Sequence, residues 1–299
     1  MTPQERKGRL TGVLLVACGA IAFSGKGVII KLAYRYGVDA VTLLALRMLF
    51  SAPFFLILGW WATRGGVQAL SAADRGWMLV LGLIGYYLAS YFDYLGLQYV
   101  SAALERLLLF VHPTFVVLFS ALLFGRRITG RDVFAIAISY LGIGIVFGHD
   151  LRTQPGNVAL GSFWVLLSAL FYAGYLIGSG RLVGRVGSLR FACYAGLVSS
   201  VAVVIHFLVT RDAALIVSQP VPVYWLTLVM AVFSTVLPII LTSEGIRRIG
   251  ASHASIVASI GPIATIFLGA IFLGESITGV QLAGAALVMV GVMRAAGVR

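Results

Sequence analysis

Charge and cysteine are both scarce in this sequence, and each shortage excludes a class of protein. Only 11% of the 299 residues are charged, far fewer than a soluble or disordered chain carries. The two cysteines, Cys18 and Cys193, are too few for a disulfide framework or a zinc cluster. Apolar residues instead make up 60% of the chain, with a mean hydropathy of +1.02. These figures exclude a soluble fold and predict an all-α multi-pass membrane protein in contact with the lipid bilayer.

The basic residues indicate membrane topology rather than a nucleic-acid partner. The formal net charge is +12, but the basic residues stand singly between long apolar runs and form no basic face. We therefore expect no nucleic acid as a partner. Only Arg35, Arg152 and Arg211 fall in the connections on the side opposite the amino terminus, whereas fifteen of the 22 Lys and Arg fall on its own side. The positive-inside rule then predicts the cell (inner) membrane with both termini in the cytoplasm.

A helix needs about 20 mostly apolar residues to cross about 30 Å of hydrocarbon, and the sequence contains ten such stretches. The predicted spans are residues 10–32, 40–62, 76–97, 99–123, 131–148, 158–181, 190–210, 223–246, 251–273 and 279–297. The longest polar connection, GHDLRTQPGN (148–157), lies at the middle of the chain. We therefore predict a cytoplasmic tail (1–9), a first five-helix repeat (10–148), a linker (149–157) and a second five-helix repeat (158–297).

The second half of the chain repeats the first at an offset of 149 residues. Pro113 aligns with Pro262, and GRRITG (125–130) aligns with GESITG (274–279), without a gap. Because each copy has five spans, an odd number, the second copy must enter the bilayer upside down relative to the first. Inverted repeats of this kind are the architecture of secondary transporters, in which two similar halves move around a site near the midplane.

Four stretches carry a family pattern, within the two repeats and in the same order. They are AIAFSGKGVIIK (20–31), ALRMLFSAPFF (45–55), SAALERLLLFVHPTFVVLFSALLFGRRIT (101–129) and ASIVASIGPIATIFLGAIFLGESIT (254–278). With the duplication and the span count, they resemble the EamA family of the drug/metabolite transporter superfamily over nearly the whole chain. The resemblance implies ten helices around a central cavity, and export or exchange of amino acids, nucleotide derivatives or other small metabolites.

The sequence departs from the family pattern at two places, so the resemblance does not identify the substrate. The first copy has Gly125-Arg126 where the family usually has Gly-Glu, and the adjacent pair Glu105-Arg106 is not general to the family.

Several charged residues lie inside the predicted spans, and five of them share one depth. Lys31 and Glu244 are near helix ends and can reach the interface. The other five lie about 6–10 Å to the outer side of their helix centres, from a rise of 1.5 Å per residue; they are Lys26, Arg47, Asp93, Glu105 and Arg106. Because an unpaired charge in hydrocarbon is costly, these groups should face one another. They form either a structural ion network or a gate or coupling site, and Lys26 and Arg47 also recur as scaffold positions in the family resembled.

Polar and aromatic side chains near the bilayer centre are candidates for the wall of a substrate cavity. They are Tyr86, Tyr87, Ser90, His112, Tyr172 and Tyr175. The alternative for the tyrosines is ordinary helix packing. His112 is seven residues from Glu105, so the two point the same way and could relay a proton; equally, the ring could bond a carbonyl that Pro113 leaves free.

The preferred function is a secondary transporter of a small metabolite, an amino acid or similar amphipathic solute. We expect an exporter or exchanger that works by alternating access, with protons as a candidate coupling ion. No cofactor or metal is expected. The sequence contains no P-loop, so it gives no sign of ATP-driven transport, and no metal-binding H-E-x-x-H motif. The alternatives are an intramembrane enzyme, for which no nucleophile constellation can be read, and a non-transporting membrane sensor or assembly factor.

Overall fold

The computed structural model describes residues 3–64, 70–154 and 156–295, and these form ten long helices. Their bounds are α1 Pro3–Tyr34, α2 Ala40–Thr63, α3 Ala72–Gly96, α4 Ala102–Phe124, α5 Gly130–Thr153, α6 Val158–Val186, α7 Ser188–Thr210, α8 Val221–Ile249, α9 from Ala251 to Leu273, and α10 Gly279–Ala295. Within the described residues, nine are long and apolar enough to cross a membrane, and α10 is a shorter apolar helix. The predicted multi-pass helical fold is confirmed. Residues 1–2 of the predicted tail, 155 of the predicted linker and 296–297 of the last predicted span lie outside the described residues.

Local sequence signals set where the helices begin and end. Ser71 and Thr129 begin α3 and α5 with reciprocal hydrogen bonds to Asp74 and Asp132, the capping-box arrangement. The ends of α4 and α9 fall at Gly125 and Gly274, which have φ values of 66° and 72°. A residue in this left-handed region favours glycine, and the two glycines occupy equivalent positions in the repeats.

Two pairs of equivalent helices share the same internal irregularities. α4 is interrupted between Leu109 and His112, just before Pro113, and α9 is interrupted between Ala258 and Gly261, just before Pro262. α3 contains π-helical turns over Gly82–Leu88, and α8 contains them over Val232–Val236, close to an offset of 149 residues. These matched breaks show that the duplication seen in the sequence is also a duplication of helix shape.

Glycines form close helix contacts that are also matched between the repeats. A Cβ on Gly96 of α3 would lie 2.9 Å from the carbonyl oxygen of Gly161 on α6. A Cβ on Gly245 of α8 would lie 3.1 Å from the carbonyl oxygen of Gly12 on α1. At the offset of 149 residues, Gly12 is equivalent to Gly161, and Gly96 is equivalent to Gly245. The contact between α3 and α6 is therefore the counterpart of the contact between α8 and α1.

The helix directions place these two crossings at opposite ends of the bundle. We call the end at which α1 begins the near end, and the opposite end the far end. The crossing of Gly96 with Gly161 lies towards the far end, whereas that of Gly245 with Gly12 lies towards the near end. The fold is therefore two inverted five-helix repeats, as the odd number of spans per copy predicts.

α5 is longer than its predicted span and includes the start of the predicted linker. His149 and Asp150 lie inside this helix, which ends at Thr153. Asp150 is fully buried and accepts a hydrogen bond from Ser101 Oγ at 2.5 Å. The polar run is thus partly buried by a contact with the α3–α4 connection that hydropathy along the chain does not reveal.

Candidate functional site

Three of the five charged residues predicted to share one depth meet between α1, α3 and α4. Lys26 Nζ lies 2.6 Å from Asp93 Oδ2, with both side chains at least nine-tenths buried. The Glu105 carboxyl is a neighbour of Asp93 and lies against Gly27, where a Cβ would be 3.1 Å from Glu105 Oε2. Oδ1 of Asp93 and Oε1 of Glu105 are buried without a hydrogen-bond partner. One ammonium group is therefore surrounded by two carboxyl groups.

Arg47 of α2 adds a second cation to this region and connects it to the second repeat. Its Nε donates a hydrogen bond to Thr235 Oγ1 of α8 at 3.0 Å. Its guanidinium carbon lies 5.9 Å from the ring centroid of Tyr94, the neighbour of Asp93 in the chain. Thr235 belongs to the π-helical turns of α8, so this irregular segment supplies a polar partner to a buried arginine.

Arg106 is the third cation, and aromatic rings surround it. The guanidinium carbon lies 4.9 Å from the centroid of Phe23 and 5.6 Å from that of Phe110. Nη2 donates a long hydrogen bond of 3.4 Å to Ser24 Oγ. A Cβ on Gly261 of α9 would lie 2.7 Å from the same Nη2, so the guanidinium packs closely on α9. The five predicted charges thus occupy one region, but Arg106 has a different kind of environment from the others.

Four of the six predicted cavity residues form one aromatic wall, which we call the aromatic strip and define as Tyr86, His112, Tyr172 and Tyr175. Ring centroids are 5.2 Å apart for His112 and Tyr172, 5.7 Å for Tyr172 and Tyr175, and 5.5 Å for Tyr175 and Tyr86. Phe191 of α7 extends the strip at 5.8 Å from Tyr175. The strip therefore joins α3, α4, α6 and α7 through rings in contact.

The other two predicted cavity residues, Tyr87 and Ser90, are not part of the aromatic strip. The Tyr87 hydroxyl is 3.0 Å from His206 Nδ1, and its ring stacks on Tyr91. Ser90 is half-buried on the same helix and makes none of the ring contacts. Tyr87 points away from Tyr86 because adjacent residues on a helix differ by about 100° in direction.

His112 makes the local hydrogen bond that was one of its two predicted alternatives. Its Nδ1 is 2.8 Å from the carbonyl oxygen of Leu109, the group that lacks a helical partner because Pro113 has no N–H. If Nδ1 donates this bond, Nε2 is left as an acceptor beside Tyr172. The break in α4 lies between Glu105 and His112, so their spacing of seven residues does not correspond to two turns of an unbroken helix.

At the far end, two basic side chains link the first repeat to the end of α9 and to the connection that follows it. Arg35 donates a hydrogen bond of 2.6 Å to the carbonyl oxygen of Leu273, the last residue of α9. Lys31 donates one of 2.7 Å to the carbonyl oxygen of Val100 and lies 3.9 Å from Glu275 Oε1. Burial raises the pKa of the Glu275 carboxyl above its ordinary value, against the opposing effect of Lys31. Lys31 therefore takes part in an interhelical contact rather than only reaching the interface.

Sequence reasoning missed the rings that flank Arg106. Phe110 follows Arg106 by four residues, and Phe23 precedes Lys26 by three, both spacings that bring side chains together on a helix. A search for aromatics one turn from each buried cation would have found them. Thr235 carries no such signal, because its contact with Arg47 joins distant parts of the chain.

Ten apolar helices in two inverted repeats, enclosing buried charges and an aromatic strip, define a multi-pass membrane protein of the transporter type. The model of the EamA-like transporter family matches residues 10–148 and 159–295. The chain therefore belongs to the EamA-like transporter family, and the resemblance found in the sequence is confirmed.

Similar proteins carry transporter and exporter names. The chain is 32% identical over 277 residues to the uncharacterized transporter YcbK of Bacillus subtilis, covering 91% of this chain and 88% of that protein. It is 25% identical to a probable terminal-alkyne amino-acid exporter of Streptantibioticus cattleyicolor, over 76% of this chain and 75% of the relative. It is 30% identical to the pseudopaline exporter CntI of Pseudomonas aeruginosa, over 62% of each chain. A crystal structure with 19% identity aligns at a TM-score of 0.62 over 99% of this chain and 97% of that one, a likeness in fold alone.

Proposed function

We propose that the protein is a secondary transporter that exports or exchanges a small amphipathic metabolite, such as an amino acid, by alternating access. One relative is named as an amino-acid exporter and another as a pseudopaline exporter, which supports export of a small solute. The buried charges offer sites for the polar part of such a solute. The aromatic strip offers a surface for its apolar part.

The observation that carries this proposal is a contact made at one end of the bundle and not at the other. At the far end, Arg35 bonds the carbonyl oxygen of Leu273. Around Arg35 the two repeats align at an offset of 150 residues, so Arg185 is its equivalent, whereas Phe124 is the equivalent of Leu273 at the offset of 149. Both equivalents lie at the near end. Among the described residues, Arg185 pairs instead with Asp74, at 3.0 Å. The hydrogen bond links the end of α1 to the end of α9, and within the part of the chain that the structure describes the equivalent link between α6 and α4 is not made. Alternating access requires one state closed at each end, and this asymmetry fits the state that is closed at the far end.

The near end is the cytoplasmic end in this proposal. The excess of Lys and Arg in the near-end connections supports that orientation. The structure then corresponds to a state tied shut on the outside, in which a solute would load from the cytoplasm. Reporter fusions at Arg126 and Glu275 should lie on the cytoplasmic and outer faces, respectively, and the reverse result would overturn the orientation.

The first candidate for proton coupling is the carboxyl pair of Asp93 and Glu105. Each carboxyl has one buried oxygen without a partner, and the two side chains are neighbours. A proton on one carboxyl would turn it into a hydrogen-bond donor beside the other. His112 is the other predicted candidate, and its bond to Leu109 leaves one ring nitrogen free for exchange.

Solute counterflow in liposomes tests the transport function. Full-length protein is purified and reconstituted into vesicles preloaded with one unlabelled solute, and uptake of the labelled solute is followed for amino acids, nucleosides and organic cations. We expect transient accumulation of at least one amino acid or similar amphipathic solute, and none in protein-free vesicles. An intramembrane enzyme or a non-transporting sensor predicts no flux, so a screen without any accumulated solute would overturn the proposal.

A further inference from the structure

Arg106 is a buried cation without an acidic partner. The residue is 7% exposed, and within the part of the chain that the structure describes its guanidinium makes no ion pair. Its Nε is buried and has no hydrogen-bond partner, and its Nη2 makes only the 3.4 Å bond to Ser24. Phe23 and Phe110 provide ring faces but no negative charge. A guanidinium carries five N–H donors, so this one has unused hydrogen-bonding capacity.

The charge balance of the region points the same way. Lys26 is paired with Asp93, and Arg47 is bonded to Thr235 and lies over Tyr94. Three cations thus face two carboxyl groups, which leaves at least one surplus positive charge. In a region of low dielectric an uncompensated charge is costly, and a bound anion would remove that cost. A solute without an anionic group would leave this buried guanidinium uncompensated.

Accessible surface lies directly beside this guanidinium. Phe23 and Tyr172 are each 38% exposed, although Phe23 contacts the buried cations and Tyr172 packs between His112 and Tyr175. Arg106 is close enough to the carboxyls of Glu105 and Asp93 to interact electrostatically with them, although it forms no ion pair with either of these described residues. It also lies close enough to Tyr172 and His112 to interact with both. An anionic group bound at Arg106 would therefore lie next to Tyr172 and His112 of the aromatic strip.

We propose that Arg106 binds the carboxylate of the transported solute, and that the aromatic strip receives an apolar or aromatic side group of the same molecule. This inference rests on the transport function proposed above and names the class of solute: an amphipathic compound with one carboxylate. The planar guanidinium suits a carboxylate, because two parallel N–H groups can donate to its two oxygens. Gly261 of α9 packs against the Nη2 side of the guanidinium, so movement of α9 would open or close that edge.

Thermal unfolding of the full-length protein in detergent tests this binding without requiring transport. The probes are matched pairs, each an amino acid and its carboxamide: phenylalanine, tyrosine, leucine and methionine against phenylalaninamide, tyrosinamide, leucinamide and methioninamide. We expect at least one amino acid to raise the Tm of the wild type in a concentration-dependent manner. Its carboxamide, which lacks the carboxylate, should have no effect at the same concentration.

Two substitutions at Arg106 separate binding from folding. Arg106→Gln should leave the Tm of the ligand-free protein unchanged or higher, because it removes an unpaired buried charge, and should weaken amino-acid binding roughly 10- to 100-fold. Arg106→Lys, which keeps the charge but loses the planar fork, should bind with intermediate affinity. Arg127→Gln removes an exposed cation from the α4–α5 connection and is the matched control, with binding equal to wild type.

The outcomes distinguish this inference from the proposed function. If amino acids and carboxamides stabilise the protein equally, if none of the amino acids does, or if Arg106→Gln binds as tightly as wild type, the carboxylate site is refuted. Counterflow of neutral or cationic solutes would in that case still leave the transport function standing. Carboxylate-dependent stabilisation without flux of any solute would keep the site and refute transport.

Discussion

Asp93→Asn removes the negative partner of Lys26 and keeps the shape of the side chain. The two atoms of this ion pair are 2.6 Å apart, and the side chains are 8% and 2% exposed. Removing one partner of a buried pair costs about 3–5 kcal/mol, because the other charge stays buried without compensation. Glu105 lies next to Asp93 and can serve as a substitute partner, so we expect about 3 kcal/mol, the lower end of that range.

The double variant Lys26→Met/Asp93→Leu removes both charges together. Replacing a buried pair by apolar residues of similar volume is often neutral or stabilising by about 1–4 kcal/mol. The double variant should therefore be at least as stable as the wild type, and much more stable than either single variant. The double substitution removes one positive and one negative charge, so the net charge of the region does not change. Any difference from the wild type then reports the ion pair alone.

The cycle consists of the wild type, Lys26→Met, Asp93→Leu and the double variant. Thermal unfolding in detergent measures these four proteins together with Asp93→Asn, and liposome counterflow measures their activity. A single variant within about 0.5 kcal/mol of the wild type would refute the reasoning, because that is the range of an ordinary surface substitution. A stable double variant with wild-type flux would make the pair a structural network. A stable double variant whose flux falls tenfold or more would make it part of the gate or coupling site.

Three further predictions follow from particular contacts. Glu105→Gln should reduce flux or flatten its pH dependence if the carboxyl is coupled to transport, whereas unchanged flux with a lower Tm leaves it a structural role. Gly96→Ala should destabilise by about 1–3 kcal/mol because its Cβ would overlap α6; Gly144→Ala, at a site with no atom within 4 Å, is the control and should not lower the Tm. At the start of α2, burial alone would raise the pKa of Asp39, but hydrogen bonds from Thr42 and the charge of Arg211 hold it below its ordinary value. Its stabilising effect is therefore present above the pKa of the unfolded chain and is lost as the pH falls through the lowered pKa. Since the side chain is 35% exposed, Asp39→Asn should cost only about 0.5–1 kcal/mol at pH 7 and show a shallower loss of Tm on acidification.

Adjacent tyrosines on α3 show where prediction from spacing stops. The sequence places Tyr86 and Tyr87 at the same depth and makes both candidates for the cavity wall. In the structure Tyr86 joins the aromatic strip, whereas Tyr87 pairs with His206 of α7. Depth follows from position along the helix, but the neighbour that each side chain meets depends on how the helices are rotated and packed.

The prediction that Glu105 and His112 lie on one face of α4 also depends on more than spacing. Seven residues correspond to two turns only in an unbroken helix. In α4 the helix is interrupted before Pro113, and the ring of His112 bonds the free carbonyl of Leu109. The proline was visible in the sequence, but the direction of the turn after it was not.

The sequence by itself determined the ten apolar helices, their duplication, the inverted arrangement of the two copies and the membership of a transporter family. These depend on the order of apolar, polar and small residues along the chain, which local physics and the thickness of a bilayer translate directly into spans. The tertiary structure alone decided that Lys26 pairs with Asp93, that Arg47 bonds Thr235, and that Arg106 lies between the rings of Phe23 and Phe110. Partner choice depends on distances of a few ångströms between helices far apart in the chain, and no pattern along a single helix encodes those distances.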